Sequence, residues 1–491
     1  MTEPTLLDGT RSFIAGRWVD GDRSFAVENP ADQSIIAEAG VTPTPEIQRA
    51  IVEARRLFDE GVWASVPARE RARVLHALLD HVEAHAEVLV ATIMAEAGQP
   101  RMMAESAQVT MGVALGRQTI DLYLGMCHEE ANPVPVDDLV RGRVALSIRR
   151  HEPIGVVSAI TPYNGAIIMA VQKLIPALMA GNSVILRPSP LTPLSSVVFG
   201  AAAEAAGLPK GVLSIVLEDG AAGAELLTSD PAVDMVSFTG STAVGTRILA
   251  QAATTVKRVS LELGGKSAQI YLDDAVGRAA IGAMAVVAMT AGQACVAATR
   301  MLVPNASKAD VIDAVSAAYG SISVGDPRDP TTLMGPVISA GQRERCERYV
   351  ALAEEHGAKV ACGGGRPAGL ERGYYFEPTV LDLPDNTNPA ARDEIFGPVI
   401  GIIGYDDIDD AVRIANDSVY GLSAQVYGAD VAAATAIARR IRSGAVNVNT
   451  GIFSAYAAAG GYKRSGLGRE RGAEGIREFQ ELKHMTIGDL R

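Results

Sequence analysis

The chain has 491 residues, of which 48% are hydrophobic and 5% aromatic, with 49 glycines and a formal charge of −13. That length predicts two or three domains with sizeable cores, and the acidic balance excludes a nucleic-acid footprint, which needs clustered Lys and Arg. Four cysteines, Cys127, Cys295, Cys346 and Cys362, stand at no metal-pair or redox-pair spacing, which excludes a zinc ribbon and a thioredoxin-type site and makes a disulfide framework unnecessary.

The opening residues, MTEPTLLDGTRSF, carry neither a basic nor an apolar leader region, so a cytoplasmic protein with no membrane partner is expected. From Ala68 to Pro100 the pattern reads as one long amphipathic helix closed by Gly98 and Pro100. Its HVEAH run puts His81 and His85 one turn apart. The Glu is wrongly placed for a zincin motif and no further ligand is near, so the run reads as a solvated face and no metal is expected. Residues 140–155, VRGRVALSIRRHEPIG, have strand periodicity and suit a protruding hairpin that pairs with another subunit.

From residue 154 to 272 short β-branched runs (IGVVSAI, SVILRP, GVLSIVL, DMVSFTG, KRVSLEL, AQIYL) follow one another, with alanine-rich helical stretches between the first four. Strands without polar alternation, joined by helical crossovers, predict a doubly wound parallel α/β sheet. A second alternation starts near Ala268 and runs to SGAVNVN at 443–449, predicting a second α/β lobe. The most apolar segments, 166–186 and 279–292, are respectively interrupted by Gln172, Lys173, Pro176 and Asn182, and too short to span a bilayer. Both read as buried helix, with a strand ending the first.

The chemistry-bearing residues cluster where predicted strands end. VSFTGSTAVG turns from strand to helix at Gly240 and Ser241, a place where free amides can hold a phosphate or where serine is an ordinary N-cap. Cys295 ends the small-residue run AGQAC and has no histidine within sixty residues, so it is a buried inert thiol or a nucleophile that needs a base and an oxyanion donor from elsewhere. Glu262 in LELGGKS and Asn164 in TPYNG, each just past or at a strand end, are candidates for those two roles.

Six runs, TPYN, SFTGSTAVG, LELGGKS, GQAC, EIFGPV and GGYKRSGLGRE, stand in the order and approximate spacing of the aldehyde dehydrogenase superfamily, and the resemblance extends from about Phe13 to about Thr486. It implies an NAD(P)-binding lobe (1–135 and 152–262), a catalytic lobe (263–445) and a small oligomerisation element (136–151 and 446–491) in a dimer or tetramer. Cys295 resembles the nucleophile that forms a thiohemiacetal with an aldehyde. Asn164 with the Cys295 amide resembles the oxyanion hole, Glu262 the base for hydrolysis, Lys173 the family's inner lysine, and Glu481 a second carboxylate of the proton relay. Thr161, Arg187, Ser189, Thr239, Gly240, Ser241, Leu263, Glu394 and Phe396 match cofactor-binding positions. Where many NAD-preferring members read Lys-Pro-Ser-Glu, this chain reads RPSP, so tolerance of NADP beside NAD is expected.

Substrate-tunnel positions depart from the pattern. Tyr163 and Gln172 stand where Trp is common, Gly165 for Phe, and Ala458 and Ala459 for Pro-Phe, while Phe453 remains. The resemblance then implies oxidation of a bulky terpenoid, aromatic or branched aldehyde to its acid. The alternatives are a CoA-acylating semialdehyde dehydrogenase, against which Glu262 argues, a catalytically silent binding protein, and a cofactor-free cysteine hydrolase.

Overall fold

A computed structural model describes residues 9–132, 136–138, 143–452 and 454–488. Two twisted sheets with helices on their faces make up most of it, and both carry the buried, non-alternating strands expected of parallel pairing. In the first sheet the strands Leu213–Ile215, Ser183–Arg187, Val156–Ile160, Met235–Thr239 and Arg258–Glu262 lie side by side in that order, all parallel. Spatial order therefore reverses between Val156–Ile160 and Met235–Thr239, the switch point at which doubly wound sheets open a crevice beyond their strand ends.

The second sheet runs Lys359–Cys362, Thr379–Asp382, Val399–Tyr405, Arg300–Pro304, Ala268–Tyr271, Ser423–Tyr427 and Ala445–Val448, antiparallel only at its first edge. The run AQIYL belongs to this sheet and not to the alternation it follows in sequence. Only residues 263–267 join the two sheets at this point. A third sheet pairs Gln480–Ile487 with Arg143–Pro153, to which Glu129–Ala131 and Val136–Asp138 add.

Three features were not legible locally. The expected long helix is two, Ala68–Ala84 and Ala86–Ala97, broken at His85 (φ −101°, ψ 18°). There the His85 ring Nδ1 takes the His81 carbonyl at 2.8 Å, a side-chain bond that competes with helix continuation, and the two imidazoles stack at 4.2 Å. Gly98 does close the second helix in the left-handed region (φ 66°). N-terminal strands Ser12–Ile14 and Arg17–Val19 and the short strand Gly466–Leu467 cap the two edges of the first sheet. These edge strands carry weak periodicity and are recruited by pairing, not propensity.

The apolar segment Tyr163–Ala180 is long enough to cross a membrane, yet 83% of it is buried inside the fold. It contains the helix Ala166–Ala180, which returns the chain from strand Val156–Ile160 to strand Ser183–Arg187. Pro176 inside this helix has no N–H for the Gln172 carbonyl.

Candidate active site

The strand Val156–Ile160 ends at Thr161, and a 3₁₀ turn over Tyr163–Gly165 leads into the buried helix. This turn fixes Asn164 from both sides. Its carbonyl accepts from Gln99 Nε2 (3.0 Å) and Gln108 Nε2 (2.9 Å), and its Nδ2 donates to the Gln293 carbonyl at 2.7 Å. An amide nitrogen carries two donors, so one remains beyond this bond.

The loop that carries Cys295 is built from three successive left-handed residues, Thr290 (φ 49°), Ala291 (φ 54°) and Gly292 (φ 72°). A Cβ on Gly292 would lie 2.1 Å from the Gly397 carbonyl oxygen, which accounts for the glycine. Gln293 staples the turn, donating to the Thr290 carbonyl (2.9 Å) and accepting from the Ile338 amide (3.0 Å) and the Tyr163 hydroxyl (3.2 Å). The run AGQAC is thus a strained, close-packed turn, the kind of feature that survives only where surroundings over-determine it.

Opposite stands the Gly264-Gly265 turn after strand Arg258–Glu262. A Cβ on Gly265 would meet the Cys295 carbonyl oxygen at 2.4 Å, and one on Gly264 would meet the Glu394 carboxylate at 2.4 Å. Glu394 Oε1 accepts from the Gly265 amide at 2.9 Å. Glu394, Phe396, Gly265 and Cys295 are therefore drawn together by a turn with no side chains. Phe396 packs edge-on to Tyr163, centroids 6.0 Å apart, and is itself held at φ 62°.

Electrostatically the pocket is crowded with carboxylates. Glu262 is 8% exposed, and among the described residues its Oε1 has no hydrogen-bond partner. Burial, then the Glu470 charge, push its carboxyl up to about 8, against the pull of Lys173, Arg469 and Arg471. Cys295 is pushed up to about 12 by burial and then by Glu394, Glu262 and Glu470. Burial also raises Glu394, partly countered by the Gly265 amide and Lys266. At neutral pH the resting pocket holds a protonated thiol beside a largely protonated Glu262.

Lys173, 1% exposed, is ion-paired with Glu470 and donates to Ser237 Oγ at 3.1 Å. Glu470 was not singled out in the sequence, although it ends the quoted run GLGRE. A buried ammonium requires a carboxylate, and that was the available signal. The expected second carboxylate, Glu481, does not join this group. It lies on the strand Gln480–Ile487, more than half exposed, and pairs with Arg258 at 2.9 Å. The antiparallel register Glu481↔Glu152 holds it on the third sheet.

On the cofactor side, Thr239 and Thr161 flank the switch point, and the Oγ1 of each is buried without a hydrogen-bond partner among the described residues. Gly240 follows, where a Cβ would strike the Phe238 ring at 2.4 Å. Ser241 then caps the helix Thr242–Ala252, accepting from the Val244 amide at 3.3 Å. Leu263 donates its amide to the Ser465 carbonyl (2.8 Å) and fills the space left by Gly245. Ser189 is buried in its own turn, its hydroxyl accepting from the Leu191 amide at 3.2 Å. Arg187 is engaged by Glu218 at 2.8 Å.

Around the expected tunnel, Gly165 leaves less room than its size suggests, because a Cβ there would lie 2.7 Å from Met169 Cγ. Gln172 is 8% exposed, its Nε2 without a partner among the described residues. It lines a cavity of only about 10 Å³, with Leu115, Thr119, Val171 and Arg471. Ala459 exchanges both backbone bonds with Glu470 (2.7 and 2.8 Å). Phe453 lies outside the described residues. Arg471, adjacent in charge to Glu470, Glu262 and Cys295, escaped the sequence reading because nothing local marks it.

The family model described as the aldehyde dehydrogenase family matches residues 18–485. A geranial dehydrogenase of Castellaniella defragrans is 37% identical over 485 residues, covering 98% of this chain and 99% of that protein. Among solved structures, aldehyde dehydrogenase C of Pseudomonas syringae, a cysteine-to-alanine mutant in complex with NAD+ and octanal, is 36% identical with a TM-score of 0.92, covering 98% of this chain and 97% of that one. Betaine aldehyde dehydrogenase of Staphylococcus aureus with NAD+ is 33% identical with a TM-score of 0.93, covering 99% and 96%.

Proposed function

Because this chain belongs to the aldehyde dehydrogenase family, we propose that it oxidises a bulky aldehyde to the carboxylic acid with NAD(P)+, using Cys295 as nucleophile and Glu262 as the base of hydrolysis. The residues at the switch point fit a nicotinamide dinucleotide. Thr161 and Thr239 present unpartnered hydroxyls at adjacent strand ends, and Gly240 and the Ser241-capped helix offer a phosphate seat. Glu394, held by the Gly265 amide, and Phe396, packed on Tyr163, are proposed to face the nicotinamide end.

In this reading Cys295 Sγ bonds to the aldehyde carbon as its proton passes to ionised Glu262. The new oxyanion is held by the free Asn164 Nδ2 donor and the Cys295 amide. A bound nicotinamide would supply the acceptor for the hydride of that carbon, and Cys295 would then carry a thioester. Glu262, its proton lost to solvent, then takes one from a water that attacks the thioester carbon. The C–S bond breaks, and the acid leaves with Cys295 regenerated. Lys173 neutralises Glu470 and so limits how far Glu262 is raised.

The observation that carries the reading is Glu262 itself: a buried carboxyl whose Oε1 has no hydrogen-bond partner among the described residues, raised to about 8, and electrostatically coupled to Cys295. A purely structural carboxylate would be expected to be paired. The bulky substrate class rests on Gly165, Gln172 and Ala459, and the geranial relative supports it. Met169 narrows the opening at Gly165 and the cavity beside Gln172 holds only about 10 Å³, so a bulky chain is expected to displace the Met169 or Gln172 side chain. Residues 1–135 with 152–262 and 263–445 are proposed as the two lobes, 446–479 as a segment bridging them, and the third sheet, Arg143–Pro153 with Gln480–Ile487, as the oligomer contact.

The test is NADH and NADPH formation at 340 nm on aldehydes from acetaldehyde to a terpenoid aldehyde. The expected result is a kcat/KM at least about tenfold higher for the terpenoid than for acetaldehyde, on the order of one well-filled pocket contact. Cys295→Ala should abolish turnover, and Glu262→Gln should leave a single-turnover burst with slow hydrolysis. Turnover surviving in Cys295→Ala would overturn the nucleophile. A preference for acetaldehyde would overturn the substrate class.

A further inference from the structure

Arg187 ends the second parallel strand of the first sheet, and Glu218 lies just past the third, Leu213–Ile215. Glu218 is 4% exposed, and its carboxylate is fully engaged. Oε1 accepts from Arg187 Nε at 2.8 Å and from the Ala224 amide at 2.9 Å, and Oε2 accepts from the Gly223 amide at 2.8 Å. Arg187 Nη2 donates in turn to the Gly220 carbonyl at 2.7 Å. A Cβ on Gly223 would stand 2.6 Å from Glu218 Oε2, so the backbone is shaped to seat this carboxylate. The two amides are the second and third of the helix Ala222–Ser229, among the four at its start with no partner inside it.

A guanidinium and the opening amides of a helix are what an anion binds. Here a carboxylate of the chain itself already occupies them. In doubly wound dinucleotide sheets the carboxyl end of the second strand faces the adenosine ribose. A carboxylate there suits a 2′-hydroxyl, whereas a free Arg suits a 2′-phosphate. Read by itself, Arg187 in RPSP points to tolerance of NADP. Its pairing with Glu218 removes that charge from use.

We infer that Glu218 selects NAD+ over NADP+ in this chain: it takes the Arg187 guanidinium and the Gly223 and Ala224 amides that a 2′-phosphate would need, and sets a negative charge against that phosphate. The inference rests on the dinucleotide reading proposed above, and only on its adenosine end. Glu218 is a specificity residue distant from the chemistry at Cys295.

The experiment is equilibrium binding to the full chain by titration calorimetry, with NAD+, NADP+, 5′-AMP and adenosine 2′,5′-bisphosphate as probes, none of which requires turnover. The wild type is expected to bind NAD+ at least about tenfold more tightly than NADP+, and 5′-AMP more tightly than the bisphosphate. Glu218→Gln keeps an oxygen for the amides and frees the guanidinium. It is expected to tighten NADP+ and the bisphosphate about tenfold, a gain of about 1.4 kcal/mol, while NAD+ stays within about threefold. The double variant Glu218→Gln with Arg187→Leu should lose that gain, and unchanged thermal melting will show that each variant folds. Equal affinity of the wild type for the two cofactors, or an unchanged ratio in a folded Glu218→Gln, would overturn the assignment. Failure of every adenine nucleotide to bind would overturn the dinucleotide reading together with it.

Discussion

Cys295 and Glu262 share one buried pocket and oppose one another electrostatically. Burial raises both, and each carboxylate that ionises nearby raises the thiol further. The thiolate fraction of the resting protein is therefore small at pH 7, and alkylation of Cys295 by iodoacetamide is expected to accelerate about tenfold per pH unit from 7 to 10. Above pH 8 Glu262 is largely ionised, so removing its charge with Glu262→Gln lowers the thiol and speeds alkylation several-fold. Near pH 6.5, where Glu262 is protonated, the same substitution changes little. Mass spectrometry of the Cys295 peptide gives the rate, separating it from exposed Cys127. A rate flat between pH 7 and 10 would mean a thiol already ionised and would contradict this ordering. The hydrolytic step has the matching sign, rising with pH toward about 8 as Glu262 becomes able to accept a proton.

At the scale of elements, the site is a meeting of turns whose glycines are required by close approach. Gly265 admits the Cys295 carbonyl and Gly292 the Gly397 carbonyl. Gly265→Ala would drive a methyl to 2.4 Å from the Cys295 oxygen and move the loop. A displacement of about 1 Å costs about 100-fold in rate, so kcat/KM of Gly265→Ala is expected to fall by about that factor. Gly277→Ala is the control, because its Cβ would meet nothing within 4 Å. Comparable activity in the two variants would show that the turn tolerates a side chain. These turns were legible as strand ends followed by Gly-Gly or small residues. The break at His85 was not, because it depends on a ring-to-carbonyl bond that helical periodicity does not encode.

At the scale of the molecule, the third sheet leaves apolar side chains on the surface. Its strands pair through Gln480↔Pro153 to Ile487↔Leu146, and at the far end Leu146 and Ile487 face each other across the ladder, 50% and 52% exposed. Cross-strand apolar partners left in water mark a surface suited to burial. A second copy of the chain is the expected cover, and the double variant Leu146→Asp, Ile487→Asp is expected to shift the mass by light scattering toward the 51.3 kDa monomer. An unchanged mass, or a monomeric wild type, would remove this contact from the assembly.

The sequence by itself determined the features whose causes are local. Buried β-branched runs became parallel strands, Gly98 became a left-handed helix end, Ser241 became an N-cap, and six short runs in order were enough for the family. Only the tertiary structure decided partnerships between distant positions. Lys173 meets Glu470 across 297 residues of chain, Arg187 meets Glu218 across 31, and Glu481 is carried away to Arg258 by strand register. The physical reason is that a charge's neighbours follow from the packing of whole elements. No local pattern reports them, and burial together with those neighbours sets how strongly Glu262 and Cys295 hold their protons, while the neighbours decide whether Arg187 is free.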